Sequence, residues 1–538
     1  MRKAREEEVS YMETRKIWKL VPIEECWRRT GRPPIGTRWV DTNKGSEDFP
    51  DVRCRLVARD FKEKRDKERE DLFAATPPVE AERMALSRAA TKSWRKDGVR
   101  RIRKVMFIDA KKAHLNPPCD TDVYIYLPAE ANAPEGMCGK LVHWLYGCRP
   151  AAQAWENFYA GKLEAVGFVR GDACGVVFYH PVRDVSCVCH GDDFTLVGEE
   201  VDLKWISEEM AKWFEIKVRA VLGPEEKDDK EVVILGRMVR WTSRGIEFEA
   251  DPRHRRVLAE YFGFTEASTA AAFNGDKEKK EEAEDDMEME KAEAKEFRGL
   301  VARLNYLAQD APDLQYPSKE ISKEMARPRR GGWKRLKKVV RYLLGRKAVV
   351  WRYEWQDEGD GLTTKSDSDW GGNHDDRRST SGGVVMLGGH CIKTWSSTQG
   401  PVALSSAEAE FYAMVDAVLK AKWMAVVAKE LGFKAMEGKL VLGTDSSAAK
   451  SFVSRRGLGR MRHIEVRDLW LQKEVMKGLV KVVKIPGDDN PADLMTKYLD
   501  LKSIDAHIGT LGAAFLEGRA AIASAIHSIL EMMSLCEL

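Results

Sequence analysis

Paired cysteines are missing from this chain. The ten cysteines among 538 residues are scattered, with no Cys-x-x-Cys and no Cys/His spacing of the kind zinc requires. That pattern gives no structural metal and predicts a reduced setting. Long apolar runs are missing too, since none approaches the roughly 18 residues of a membrane span. The amino-terminal Met-Arg-Lys-Ala-Arg-Glu-Glu-Glu lacks an apolar secretion signal, so a soluble, intracellular protein with no membrane partner is expected. Nor is there a bulk charge of one sign, because 89 Lys and Arg face 86 Asp and Glu. The basic residues are nevertheless clustered. Lys92 to Lys104 carries seven of them against Asp97 alone, and Arg327 to Lys347 carries ten with no acid. Either run could neutralise phosphates and release counterions, or simply be a solvated helix face.

What is present is a set of acids in distinct local frames. Asp367 stands in Thr364-Lys-Ser-Asp-Ser-Asp-Trp-Gly-Gly, Glu410 in Ala403-Leu-Ser-Ser-Ala-Glu-Ala-Glu-Phe-Tyr-Ala, Asp445 in Val441-Leu-Gly-Thr-Asp and Asp493 in Asn490-Pro-Ala-Asp. A second set lies upstream: Asp109 ends Val105-Met-Phe-Ile-Asp, and Asp192 and Asp193 follow His190-Gly191. Phosphodiester chemistry with two divalent ions needs carboxylates arriving from different elements, because the ions are held from several directions. Each set meets that need, although an Asp-Asp turn alone is a common surface feature.

The length allows roughly three or four domains. Short β-branched and aromatic runs, a helix from Ala151 to Phe168 and a hairpin from Val185 to Val197 give a mixed α+β first half. Lys277 to Lys295 is nearly all charged and reads as a solvated linker. Phe297 to Leu344 reads as two or three helices. The order strand, hairpin, helix, strand, helix, strand, helix then follows. Ser405 and Glu408 form a capping-box signature for the first of those helices. Residues 408 and 410 lie about 200° apart around it, so one alone can face a sheet, and Glu410 shares its face with Ala413, Met414 and Ala417. Asn490 is a good N-cap with Pro491 at the first helical position, which puts Asp493 in the first turn. The tail from Ala506 to Leu538 resembles a helix.

Across nearly its whole length the chain resembles the reverse transcriptase and ribonuclease H region of the Pol polyprotein of copia-type long-terminal-repeat retrotransposons. The resemblance rests on Pro34-Ile-Gly-Thr-Arg-Trp-Val, Arg55-Leu-Val-Ala-Arg-Asp-Phe, Ile108-Asp-Ala-Lys-Lys-Ala-His-Leu-Asn, Gly191-Asp-Asp, Ser366-Asp-Ser-Asp-Trp-Gly-Gly, Arg462-His-Ile-Glu-Val-Arg and Ala492-Asp-Leu-Met-Thr-Lys, in that order. It implies an α+β chain with a right-hand polymerase of fingers, palm and thumb (1–265), a charged linker (266–296), a helical connection (297–356), an α/β ribonuclease-H-like domain (357–502) and a helical tail (503–538). It implies Asp109, Asp192 and Asp193 as polymerase acids and Asp367, Glu410, Asp445 and Asp493 as the nuclease tetrad, each set holding two Mg²⁺ or Mn²⁺ ions. Arg53, Arg55 and Arg59 would contact the incoming triphosphate, with surface arginines as the alternative. His463 would fall near bound substrate or be a structural imidazole. The implied partners are an RNA template, a DNA primer, RNA–DNA hybrid and deoxynucleoside triphosphates. A dimer is left open, and the location is cytoplasmic, particle-associated, or nuclear.

Three departures bear on activity. The family's Tyr-Val before the Asp pair is His190-Gly191 here. Its aromatic steric gate against the ribose 2′-hydroxyl is His114. A glutamine that helps seat the nucleotide is Pro150. They raise two alternatives, a ribonuclease H with a decayed polymerase half and a catalytically silent nucleic-acid-binding relic.

Overall fold

Strands form where β-branched and aromatic residues run between Gly, Pro and Asp turns, as the sequence predicts. The computed structural model describes residues 1–43, 52–61, 78–94, 97–250, 253–264, 286–359, 361–373, 376–434, 440–459, 463–465 and 469–516. They divide into two units, Met1–Pro78 with Met106–Arg219 and Val79–Val105 with Ala220–Leu538. Most of the expected charged linker and of the tail lies outside the described residues.

In the first unit, β1 (Thr37–Asn43) and β2 (Val52–Ala58) pair antiparallel, with Arg53 opposite Thr42 and Arg55 opposite Val40. A six-stranded sheet has the order β8-β3-β7-β6-β5-β4, from β3 (Lys104–Ala110), β4 (Val169–Arg170), β5 (Val177–His180), β6 (Val185–His190), β7 (Asp193–Gly198) and β8 (Ile216–Leu222). Val105 to Ile108 in β3 is buried at every position, the signature of a strand covered on both faces. Helix α1 (Ala151–Ala165) lays Trp155 and Tyr159 against Phe194 and Phe178 of that sheet. It stops short of the expected Phe168 because Gly167, at φ +102°, leaves helical space.

In the second unit, the charged stretch expected to run as linker to residue 296 is already helical from Lys291, because Ala294 and Phe297 bury one face of α2 (Lys291–Ala308). Helices α3 (Gln315–Ser322) and α4 (Arg330–Gly345) follow, three in all as the periodicity allows. One sheet has the order β9-β10-β11-β12-β18, from β9 (Glu231–Ile234), β10 (Arg237–Trp241), β11 (Gly245–Ala250), β12 (Ala348–Glu354) and β18 (Ala513–Leu516). This corrects two expectations. The close of the helical connection is the strand β12, and the described part of the tail is helical over α7 (Leu501–Thr510) and then turns into β18. β12 is a strand because it pairs with β11 on one side and β18 on the other, Ala348 lying opposite Leu516 through Trp351 opposite Ala513.

The other sheet has the order β15-β14-β13-β16-β17, from β13 (Leu362–Ser368), β14 (Thr380–Leu387), β15 (His390–Thr398), β16 (Leu440–Thr444) and β17 (Val480–Lys484). β13, β14 and β15 form an antiparallel meander, whereas β16 runs parallel to β13 and β17 parallel to β16. α5 (Ser406–Glu430) packs on β13 and β14, and α6 (Ser447–Val453) follows β16. Ligand sites in such sheets gather at the carboxyl ends of parallel strands.

Candidate functional site

The parallel register sets the downstream site. Lys365 of β13 lies opposite Gly443 of β16, so two residues further Asp367 and Asp445 emerge side by side at the carboxyl ends. Asp493 arrives from the short helical turn Pro491–Met495, capped as expected by Asn490, whose side chain accepts from the Ala492 N–H. The Asn490 side-chain amide also donates to the Ser366 carbonyl at 3.0 Å, which ties that turn to β13. Gly382 on β14 makes room for it, because a Cβ there would lie 2.7 Å from Thr496 Cγ2 and 2.9 Å from the Ala492 carbonyl oxygen. Carboxylate oxygens of Asp367, Asp445 and Asp493 consequently all lie within 4.8 Å of one another. Glu410 completes the set from α5, accepting the Ser368 N–H at 3.3 Å.

Crowding this many carboxylates is costly; two unit charges at about 4 Å repel by ~4 kcal/mol at an effective dielectric of ~20. The protein answers by retaining protons. Burial, with the charges of Asp493 and Asp445, pushes Asp367 up to about 7 against the pull of Lys497 and Thr496. Burial, with Asp367 and Asp445, pushes Glu410 up to about 8. Lys497 supplies one cation, 2.9 Å from Asp493 and 3.9 Å from Asp367, and the Thr496 hydroxyl donates to Asp367. Glu410 Oε2 and Asp493 Oδ1 are buried with no hydrogen-bond partner. Two orphaned carboxylate oxygens beside a triple-aspartate cluster fit divalent cations, which take hard oxygen ligands.

Glu408, also buried, points elsewhere, as the helical angle requires. Its carboxylate accepts from the Leu404 N–H, the Tyr412 hydroxyl and His463 Nε2 at 3.0, 3.1 and 2.8 Å. Thr496 and Lys497 were not assigned roles from sequence. The signal for Lys497 was its position four residues after Asp493 on a helical turn.

The upstream acids converge less completely. The Ala110 N–H donates to the Asp192 carbonyl at 2.8 Å, placing the end of β3 beside the β6–β7 turn. Gly191 takes φ +64° as the first residue of that two-residue turn, the pattern of a type II′ hairpin. α1 steadies the turn, Trp155 donating to the Gly191 carbonyl at 2.8 Å. Asp193 already has a cationic neighbour. Its carboxylate lies 3.3 Å from Arg219, and among the described residues the upstream acids form no three-carboxylate group like the downstream one. Burial and the charges of Asp192 and Asp109 raise the Asp193 pKa against that arginine.

Arg53, Arg55 and Arg59 are all exposed, Arg53 and Arg55 on one face of β2. Arg55 lies 5.5 Å from the Tyr146 ring, and that ring lies 5.2 Å from His114. Burial lowers the His114 pKa, opposed by Asp192 and assisted by Arg55, so Asp192, His114 and Arg55 share one neighbourhood. Arg59 and Pro150 instead line a separate cavity of about 1200 Å³, to which Asp109, Asp192 and His114 contribute nothing.

Comparison with known proteins bears on both sets. Residues 15–226 match the family model described as reverse transcriptase (RNA-dependent DNA polymerase). The chain is 26% identical over 496 residues to the retrovirus-related Pol polyprotein from transposon RE2 of Arabidopsis thaliana, covering 90% of this chain and 32% of that protein. It is 27% identical over 516 residues to the corresponding polyprotein from transposon TNT 1-94 of Nicotiana tabacum, covering 92% and 36%. The chain thus spans about a third of the length of the curated relatives it matches. A solved foamy viral protease-reverse transcriptase in complex with double-stranded DNA aligns over 90% of this chain and 70% of its own at 9% identity, with a TM-score of 0.24, too low to bear on the fold.

Proposed function

Because the chain belongs to the Pol polyproteins of copia-type retrotransposons, we propose that it is an RNA-directed DNA polymerase that also hydrolyses RNA in RNA–DNA hybrids. The carrying observation is the convergence of Asp367, Asp445 and Asp493 within 4.8 Å, with the free oxygen of Glu410 beside them. In this reading residues 357–502 are the nuclease, and the β6–β7 turn with the end of β3 is the polymerase centre.

Mg²⁺ or Mn²⁺ ions would be held by Asp367, Glu410, Asp445 and Asp493 in the nuclease, and by Asp109 and Asp192 in the polymerase, with Asp193 supporting. Bound there, such ions supply Lewis-acid stabilisation of phosphate charge and a more acidic water or hydroxyl. The protein's own groups prepare the site. Thr496 fixes the Asp367 carboxylate, the Ser368 N–H fixes Glu410, and Lys497 holds Asp493 while offering a cation to a phosphate oxygen. Asp367 and Glu410 release protons as cations enter, so loading favours pH above their raised values. In the polymerase centre, Arg55 offers positive charge near Asp192, and His114 stands where the sugar of an incoming nucleotide would be sorted.

The reading of a ribonuclease H with a silent polymerase half draws support from Asp193, which Arg219 already engages. Cleavage of a labelled RNA–DNA hybrid in Mg²⁺ tests the nuclease. Wild type is expected to cut, and Asp367→Asn is expected to cut at least about 100-fold more slowly, since removing ligand charge forfeits several kcal/mol of stabilisation. Near-wild-type cutting by Asp367→Asn would exclude the tetrad.

A further inference from the structure

The basic run Lys92 to Lys104 takes no part in either carboxylate set, yet it borders a cavity of about 510 Å³ in the second unit. The run folds back on itself, Trp94 pairing with Arg100 and Ser93 with Arg101. The Lys92 N–H donates to the Gln356 carbonyl, which pins the hairpin beside Trp355. Lys92, Arg100, Arg103 and Lys230 line the cavity together with Trp241 and Trp355, and among the described residues no acidic side chain lines it.

The aromatic wall is preorganised. Trp355 packs 4.8 Å from the buried Trp241, and its Nε1 donates to the Ser243 carbonyl at 2.8 Å, so a half-buried indole is held in place with part of its ring open to the cavity. Lys230 donates to the Gly223 carbonyl, a neutral acceptor that fixes the ammonium without cancelling its charge. Arg100 is exposed. Lys92 stands 3.4 Å from Asp357, which is 78% exposed, a surface ion pair of the weak kind that a phosphate can replace.

We propose that this cavity binds a segment of single-stranded nucleic acid, one base lying against Trp355 and the adjoining phosphates on Lys92, Arg100 and Lys230. Its volume falls within the usual range for a bound small molecule and accommodates one nucleotide. An acidic peptide would satisfy the cations but has no planar group for the indole at each charge spacing. A nucleic-acid strand supplies both, and this pairing of stacking platform and basic groove is how single strands are held without sequence readout. The proposal needs neither carboxylate set, so the site would hold a strand whether or not the proposed catalysis occurs.

The test uses the full chain. A single-stranded oligonucleotide carrying 5-iodouracil is photo-crosslinked and the modified peptide identified by mass spectrometry. Affinity for the same strand is measured by fluorescence anisotropy across salt concentrations for wild type, Trp355→Ala and the double variant Lys92→Gln/Arg100→Gln. Expected are a crosslink in the Trp355 peptide, about a fivefold or greater loss of affinity in Trp355→Ala, and a log-affinity against log-salt slope shallower by ~0.7 per lost contact in the double variant. Circular dichroism checks that each variant is folded; should Trp355→Ala fail, the Lys92/Arg100 double variant still gives the slope. Crosslinks confined to other peptides with an unchanged slope would overturn the proposal, as would equal competition by polyglutamate of matched charge.

Discussion

Gly382 shows how a missing side chain builds this site. A methyl group there would press on Thr496 and the Ala492 carbonyl, at 2.7 and 2.9 Å, and drive the Asp493 turn away from Asp367. Gly382→Ala is therefore expected to cost about 1–3 kcal/mol in stability, the usual overpacking penalty, and to slow hybrid cleavage. Gly389→Ala, whose Cβ would meet only Gln356 at 3.6 Å, should do neither. Thermal melts and cleavage rates of the two variants decide it. The glutamates of α5 make a second contrast. Glu410→Gln should abolish cleavage, whereas Glu408→Gln should mainly cost stability by disturbing a buried three-donor network; equal loss of cleavage in both would contradict the geometry. A third concerns His114, which stands near Asp192 with a buried, unpartnered Nδ1. An imidazole is a smaller wall than a phenyl ring, so primer extension by wild type should admit ribonucleotides that His114→Phe excludes. Wild-type exclusion of ribonucleotides would refute the idea. The four downstream acids were legible because each sits in its own short frame. Thr496 was not, since its hydroxyl reaches an acid contributed by a distant strand, and Lys497 offered only its place four residues after Asp493.

Among the elements, α4 carries most of the second basic run. Its buried side holds Leu336, Val339, Val340 and Leu343, and its cations stand on the remaining faces, with Lys337 and Arg341 5.9 and 5.1 Å from the rings of Phe262 and Phe264. Part of the run is engaged locally, as Arg327 with Glu288, Arg329 with Asp286 and Arg335 with Glu324 show. Replacing Lys334, Lys337, Lys338 and Arg341 by Gln is expected to weaken duplex binding uniformly across sequences and to flatten the salt dependence by roughly 0.9 per lost phosphate contact. An unchanged slope would leave α4 a solvated face. Periodicity made α2 and α4 readable, and the two-acid hairpin was evident from apolar runs flanking His190-Gly-Asp-Asp. β12 and β18 escaped notice for a physical reason: pairing with partners far along the chain, which no local pattern records, makes both strands.

At the scale of the whole molecule, the retained protons tie stability to pH. Asp367 and Glu410 have folded values of about 7 and about 8, above their ordinary 3.8 and 4.5. Stability from these protons is complete below the ordinary values and is lost as pH rises through the folded ones. His390, which burial lowers to about 4, acts in the opposite sense, its contribution being lost as pH falls below its ordinary 6.5. Comparing wild type with Asp367→Asn/Glu410→Gln cancels the histidine. In EDTA, wild type should lose melting temperature relative to that variant between about pH 4 and about pH 8, and Mg²⁺ should restore it most at the upper end. Parallel curves would contradict the carboxylate cluster.

The proposed division of labour between two carboxylate sets on one chain is tested most directly by a single gel. A labelled RNA template annealed to a labelled DNA primer is incubated with Mg²⁺ and deoxynucleoside triphosphates, reading DNA extension and RNA cutting in the same lane for wild type, Asp192→Asn and Asp445→Asn. The expected result is slow extension with cutting in wild type, cutting alone in Asp192→Asn and extension alone in Asp445→Asn. Loss of both activities in either variant, or persistence of both in Asp445→Asn, would contradict two separate centres.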